Sequence, residues 1–69
     1  MGQKKNKHVW AENWINGMHL AIQNNDKHLI QSLLKENKKE GINWTDDVSP
    51  ALAKEYIRIR EMANSILQS

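Results

Sequence analysis

The chain has 69 residues, with ten Lys and Arg, eight Asp and Glu, and a net charge of +2. This length allows one domain, whose core contributes no more than about 3–5 kcal/mol of net stability. The chain contains no cysteine, which excludes disulfides and thiolate metal sites and favours a cytoplasmic location. No apolar run approaches the roughly 20 residues of a membrane span, and no secretory signal is evident.

The first seven residues form a basic segment. Lys4, Lys5 and Lys7 supply three of the ten positive charges, which leaves seven basic against eight acidic residues in the rest of the chain. This composition predicts a flexible tail over residues 1–7 and a single helical domain over residues 8–69. Because a nucleic-acid-binding domain normally carries its basic surface on the folded part, this distribution does not favour nucleic acid as a partner.

Residues 8–24 have the periodicity of a helix, with apolar side chains at spacings of three and four on one broad face. These apolar residues are Trp10, Ala11, Trp14, Ile15, Met18, Ala21 and Ile22. Val9 and Leu20 fall together on a separate side of the same helix. Gly17 is its weak point, because a glycine within a helix costs about 1 kcal/mol relative to alanine, so the helix could bend or begin there.

A second helix is predicted over residues 27–38. Asp26 can accept hydrogen bonds from the free amides of its first turn, and Gly41 is a typical stop signal. The short connection predicts that the first two helices form an antiparallel hairpin. The apolar stripe of the second helix consists of Leu29, Ile30, Leu33 and Leu34.

Residues 17–34 resemble the helix pair of an ankyrin repeat. The resemblance lies in His19-Leu20-Ala21 and in the later run 29–34, Leu-Ile-Gln-Ser-Leu-Leu, which fall in the register of the repeat. Asn16-Gly17 stands where the repeat has Thr-Pro, and the chain holds no second copy, whereas stacked repeats need about three. The shared features are those of any tight helical hairpin, and we assign no family.

A longer third helix is predicted over residues 50–67. Ser49 can cap it and Pro50 suits its first position. Ile57 and Met62 lie on opposite flanks of its apolar seam. The seam residues follow a heptad-type spacing and are Leu52, Tyr56, Ile59, Ala63 and Ile66.

The loop before this helix carries apolar and acidic residues. Ile42 and Trp44 are expected to close the open end of the hairpin. Asp46 and Asp47 are expected to interact with the positive end of the third helix dipole. No strand pattern occurs, so the sequence predicts a small all-α domain, a hairpin followed by a third helix.

No group of residues in the sequence indicates catalysis or metal binding. A catalytic nucleophile needs a base and an orienting group within reach, and the serines are explained as caps, loop or surface residues. His8, Glu12 and His19 share one helical face, but they lack a fourth ligand and a known metal-site spacing. We therefore predict no enzyme, no metal, no cofactor and no small-molecule substrate.

The apolar surface exceeds what three short helices can bury, which predicts a protein–protein interaction module. Such a module could be an adaptor, an inhibitor or a secretion-type chaperone that binds a helix of another protein or a second copy of itself. The sequence leaves Trp10 between core packing and partner contact. The predicted partner-binding residues are Val9, Trp10, Leu20, Ile57, Arg58 and Met62.

The alternative function is electrostatic. Lys4, Lys5 and Lys7, together with Trp10, could contact the phosphates of nucleic acid or an anionic membrane. The two hypotheses differ in salt dependence, because phosphate binding weakens steeply with added salt and apolar helix packing does not.

Overall fold

The computed structural model describes residues 7–68, which form three helices and contain no strand. Helix α1 spans Lys7–Gln23, α2 spans Lys27–Glu40 and α3 spans Pro50–Gln68. The predicted all-α fold is confirmed. Helix α1 begins one residue earlier than predicted, so Lys7 belongs to the helix and not to the basic tail.

Both ends of α2 are fixed by the residues that the sequence singled out. The Oδ1 atom of Asp26 accepts a hydrogen bond from the backbone N–H of Leu29 at 3.1 Å. Gly41 has a φ of 70°, and its N–H donates to the carbonyl of Asn37. Glycine adopts this left-handed conformation without steric cost because it has no Cβ. Asn25 also has a positive φ, of 54°, in the turn that reverses the chain between α1 and α2.

Helix α1 is the centre of the domain. It packs against both other helices, whereas α2 and α3 approach each other less closely. Its buried face matches the predicted broad apolar face, and α3 buries the middle of its predicted seam. The buried residues of the main core are Trp14, Ile15, Met18, Ala21, Ile30, Tyr56, Ile59 and Ala63.

Helix α1 continues through Gly17, and it neither ends nor restarts there. Gly17 faces α2, where a Cβ atom at this position would lie 3.8 Å from Cδ2 of Leu33. The packing against α2 therefore outweighs the intrinsic helix cost of the glycine.

The loop over residues 41–49 closes the open end of the hairpin, as predicted. Ile42 and Val48 are buried against Ala11 of α1. Asn43 organises the loop, since its side-chain oxygen accepts from the backbone of Thr45 at 2.9 Å and its own N–H donates to Asp47 at 2.9 Å.

The acidic residues of the loop accept hydrogen bonds within the loop. Asp46 accepts a hydrogen bond from the side chain of Asn43 at 3.2 Å, and Asp47 accepts from the Asn43 backbone. Ser49 caps α3 as predicted, because its Oγ accepts from the N–H of Leu52 at 3.3 Å.

Candidate functional site

An aromatic cluster connects the loop with α1 and α3. The rings of Trp44 and Tyr56 are stacked, with centroids 3.8 Å apart and an interplanar angle of 6°. Trp14 meets Trp44 at 5.8 Å and Tyr56 at 5.6 Å, both in tilted geometry. Tilted contacts such as the two made by Trp14 add about 0.5–1.5 kcal/mol each beyond the area they bury, so they restrain the positions of the three rings.

Helix α2 holds the aromatic cluster by hydrogen bonds. Asn37 donates from Nδ2 to the hydroxyl of Tyr56 and accepts at Oδ1 from the indole N–H of Trp44, both at 3.2 Å. The indole N–H of Trp14 donates to the carbonyl of Leu33 at 2.6 Å. Each polar atom of the three rings has a partner, and the single side chain of Asn37 fixes the positions of Trp44 and Tyr56.

One side of the stacked pair forms the wall of an apolar groove of about 470 Å³. Ile57 lies on its rim and is 57% exposed, the highest value among the exposed large apolar side chains of residues 7–68. Volumes of about 300–1,000 Å³ are typical of ligand-binding sites. We call this depression the Ile57 groove; it is lined by Trp44, Thr45, Pro50, Ala53, Tyr56 and Ile57.

A second depression adjoins the stacked pair, in the space between α2 and α3. It has a volume of about 500 Å³ and carries two cationic side chains, Lys38 and Arg60. The guanidinium carbon of Arg60 lies 5.9 Å from the centroid of the Tyr56 ring, which is cation–π geometry. We call it the basic cleft; its lining includes Asn37, Lys38, Trp44, Tyr56, Arg60 and Asn64.

The predicted partner-binding residues of α1 do not reach either depression. Val9 and Leu20 are 47% and 55% exposed. They are eleven residues apart, so they lie at nearly the same angle around the helix axis and about 16 Å apart along it. This side of α1 is roughly opposite its buried face. The two residues form separate apolar points on a convex surface, which we call the α1 back.

Trp10 belongs mainly to the core. It is half-buried and packs against both the main core and the smaller group around Ala11. Its remaining surface lines a shallow depression of about 180 Å³ with Asn13 and Glu36.

The predicted residues of α3 are divided between its flanks. Ile57 and Met62 are exposed, but five residues of helix separate them by about 140°. Arg58 is exposed and, like Met62, lines neither the Ile57 groove nor the basic cleft. Of the six predicted residues, only Ile57 therefore lines the Ile57 groove or the basic cleft, while Trp10 lines the smaller depression between α1 and α2.

The residues of the electrostatic hypothesis are only partly described. Lys4 and Lys5 lie outside the described residues. Lys7 lies in α1, and its Nζ is 3.6 Å from Oδ2 of Asp47, so its charge is already partly balanced within the domain.

The polar face of α1 contacts α3. His19 Nε2 lies 2.8 Å from Glu55 Oε2, and both side chains are exposed. Within residues 7–68, no group of three or more His, Asp and Glu side chains has a geometry suited to a metal ion. None of the described helices combines the length and apolar character needed to cross a membrane.

Sequence reasoning missed most of the groove and the cleft. It placed Tyr56 in the seam and Trp44 at the end of the hairpin, but it gave neither a role in binding. The spacing of Tyr56 and Arg60, four residues apart on one helix, was the available signal for a cation–π contact. The hydrogen bonds of Asn37 to Trp44 and Tyr56 could not be predicted from the sequence, because they depend on how α2 packs against the loop.

Comparison of the chain with known protein families, with curated proteins and with solved structures finds no match. The Ile57 groove and the basic cleft are therefore the surfaces from which a function can be inferred.

Proposed function

We propose that this protein is a small non-enzymatic interaction module that binds an amphipathic helix of another protein. The observation that carries the proposal is the Ile57 groove, an apolar concavity beside a rigid aromatic pair. Helix-in-groove recognition uses such a surface, because an apolar side chain of the partner can leave water without moving the receptor.

The rigidity of the groove supports this function. Tyr56 is only 9% exposed and belongs to the main core, while Trp44 is half-buried and stacked on it. A partner side chain would thus meet a preformed wall, so binding would not require these rings to lose further conformational freedom. Trp and Tyr are also enriched among the residues that dominate binding energy at protein interfaces.

Charge favours a different protein over a second copy. In a twofold dimer the same patch faces itself. Two copies that met through this region would place four cations, two of Lys38 and two of Arg60, in one interface, and like charges oppose association. A partner with a different sequence avoids this repulsion.

Several polar residues already have structural roles in the domain, which supports the non-catalytic part of the proposal. Asp26 and Ser49 cap helices, and Asp46 and Asp47 hold Asn43. An adaptor or an inhibitor fits a surface of this size. We place the protein in the cytoplasm, which agrees with the absence of cysteine.

The proposal is tested with a display library of random helical peptides selected on the immobilised full-length protein. We expect enrichment of peptides with a large apolar residue, and we expect Ile57→Glu to abolish their binding. Light scattering of the free protein should give the 8.0 kDa mass of one chain.

Leu20→Glu is the matched control, because Leu20 is 55% exposed against 57% for Ile57 and receives the same charge. It should leave binding unchanged. Loss of binding in Leu20→Glu alone, or no enrichment over an unfolded control, would contradict the proposal. If light scattering showed a dimer and Ile57→Glu dissociated it, the groove would be occupied by a second copy of the chain.

A further inference from the structure

We infer that the partner helix is acidic: its apolar side chain enters the Ile57 groove while its carboxylates meet Lys38 and Arg60 in the basic cleft. This inference rests on the proposed function and adds the chemistry of the partner. It is carried by the juxtaposition of an apolar groove and a cationic cleft on the two sides of one aromatic pair.

The two depressions share a wall. Trp44 and Tyr56 line both of them. Along α3, the positions Ala53, Ile57, Arg60 and Asn64 are separated by four, three and four residues, which places them on one side of the helix. A partner helix that lies along this side would contact the apolar Ala53 and Ile57 at one end. It would contact Arg60 and Asn64 about two turns further along α3.

Arg60 has a geometry suited to a carboxylate. Its guanidinium lies against the Tyr56 ring and makes no ion pair within residues 7–68. A cation–π contact restricts the side chain, so less freedom is lost when it binds a carboxylate through two parallel hydrogen bonds.

Lys38 has a second role that the inference takes into account. It lies near the carboxyl end of α2, where a cation stabilises the negative end of the helix dipole. That end of α2 opposes an anion in the cleft, and Lys38 and Arg60 together must outweigh it. Arg60 lies in the middle of α3, away from the negative end of that helix, so its charge does not interact with a helix dipole in this way. Its side chain lines the cleft.

None of the described residues that line the basic cleft is acidic. Glu36 and Glu40, the acids nearest Lys38 in sequence, do not line the cleft, and Glu36 lines two other depressions. Glu61 follows Arg60 but points about 100° away around α3. Asp46 and Asp47 contact Asn43 in the loop. The two cations therefore have no carboxylate of the same cleft to neutralise them.

The aromatic pair does not favour nucleic acid as the occupant. Binding of a base needs an open ring face. The facing surfaces of Trp44 and Tyr56 are stacked on each other, so neither of these two faces is open to a base, and Asn37 engages the indole N–H of Trp44 and the hydroxyl of Tyr56. The pair forms a wall for an apolar side chain better than a platform for bases.

The test uses the peptides recovered by selection on the full-length protein. We expect Asp or Glu three to eight residues from the apolar anchor, and replacing these acids with Asn or Gln should weaken binding about fivefold. The double variant Lys38→Gln/Arg60→Gln should weaken binding of the acidic peptide by a similar factor and reduce its salt dependence.

The matched control is Lys35→Gln/Lys39→Gln, which removes the same charge from α2 outside the groove and the cleft. It should change binding much less than the cleft variant. Equal effects of the two double variants would overturn the inference, since binding would then follow net charge alone.

The failures of the two proposals are distinguishable. Neutral or basic peptides whose binding still requires Ile57 would overturn the acidic partner and leave the proposed function standing. No selected peptide at all would overturn both. A single-stranded oligonucleotide that displaces the peptide and loses binding in Lys38→Gln/Arg60→Gln would replace the acidic helix by nucleic acid.

Discussion

The α1 back and the Ile57 groove expose apolar side chains to a similar extent, but they differ in what surrounds those side chains. Leu20 and Val9 stand apart on a convex helix surface, with polar residues between them. Ile57 stands beside a concavity whose wall is the stacked pair of Trp44 and Tyr56. Scattered exposed apolar residues are normal on protein surfaces, so exposure alone does not identify a site.

The Ile57 groove is an extension of the core, whereas the α1 back is not. Tyr56 contributes to the main core with one part of its ring and to the groove with another. Leu20 contributes to neither. Changes at the groove wall should therefore affect stability and binding together, whereas changes at the α1 back should affect neither.

The largest expected effect is that of Tyr56→Ala. Removing a buried aromatic side chain costs about 3–5 kcal/mol, which equals the whole net stability expected of so small a core. We expect loss of helical circular dichroism at room temperature. Leu20→Ala should change the free energy of unfolding in urea by less than about 0.5 kcal/mol.

Tyr56→Phe keeps the stack and tests the wall without unfolding the domain. It removes only the hydrogen bond from Asn37, so we expect a loss of about 1 kcal/mol in the free energy of unfolding. An unchanged midpoint in urea would show that Asn37 does not hold the ring.

The next effect concerns binding. Ile57→Ala should weaken the binding of a selected peptide about tenfold, because its apolar contact, about 1.4 kcal/mol, is lost while the fold is kept. Leu20→Ala should leave the dissociation constant unchanged in the same titration. Equal losses in both variants would remove the distinction between the groove and the α1 back.

Two glycines test the helix geometry, Gly17 within α1 and Gly41 at the end of α2. Gly17→Ala should raise the free energy of unfolding by about 0.5–1 kcal/mol, because the added methyl meets Leu33 at an ordinary contact distance. Gly41→Ala should lower it by about 1 kcal/mol, because φ is +70° there. Destabilisation by Gly17→Ala would show that α1 needs the glycine for more than close packing.

The smallest effect is expected at the amino terminus. Lys7→Ala should change the free energy of unfolding by less than about 0.5 kcal/mol, because the ion pair with Asp47 is exposed. Deleting residues 1–7 should likewise leave the helical circular dichroism intact. Loss of the fold after this deletion would show that the basic segment is part of the domain.

Helices, caps and the buried faces could be predicted because they depend on local spacing. The periodicity from Trp10 to Ile22 defined the core face of α1, and Asp26, Gly41 and Ser49 are the caps that their residue types indicate. These features need only the geometry of a single helix.

The groove could not be predicted, because it depends on how separate segments meet. Trp44 comes from the loop, Tyr56 from α3 and Asn37 from α2, and no spacing in the sequence indicates that their side chains touch. Likewise, Ile57 and Leu20 look equivalent in the sequence, since both lie outside an apolar seam. Ile57 lies beside a groove because the loop packs against α3.

The central claim is that a partner binds at the Ile57 groove and not at the α1 back. The most direct measurement is a nitrogen-15 NMR titration of the full-length protein with a selected peptide. We predict that the indole N–H of Trp44 and the amides of residues 53–60 shift, while the amides of Val9 and Leu20 stay in place. Shifts centred on α1 with an unmoved Trp44 would contradict the account.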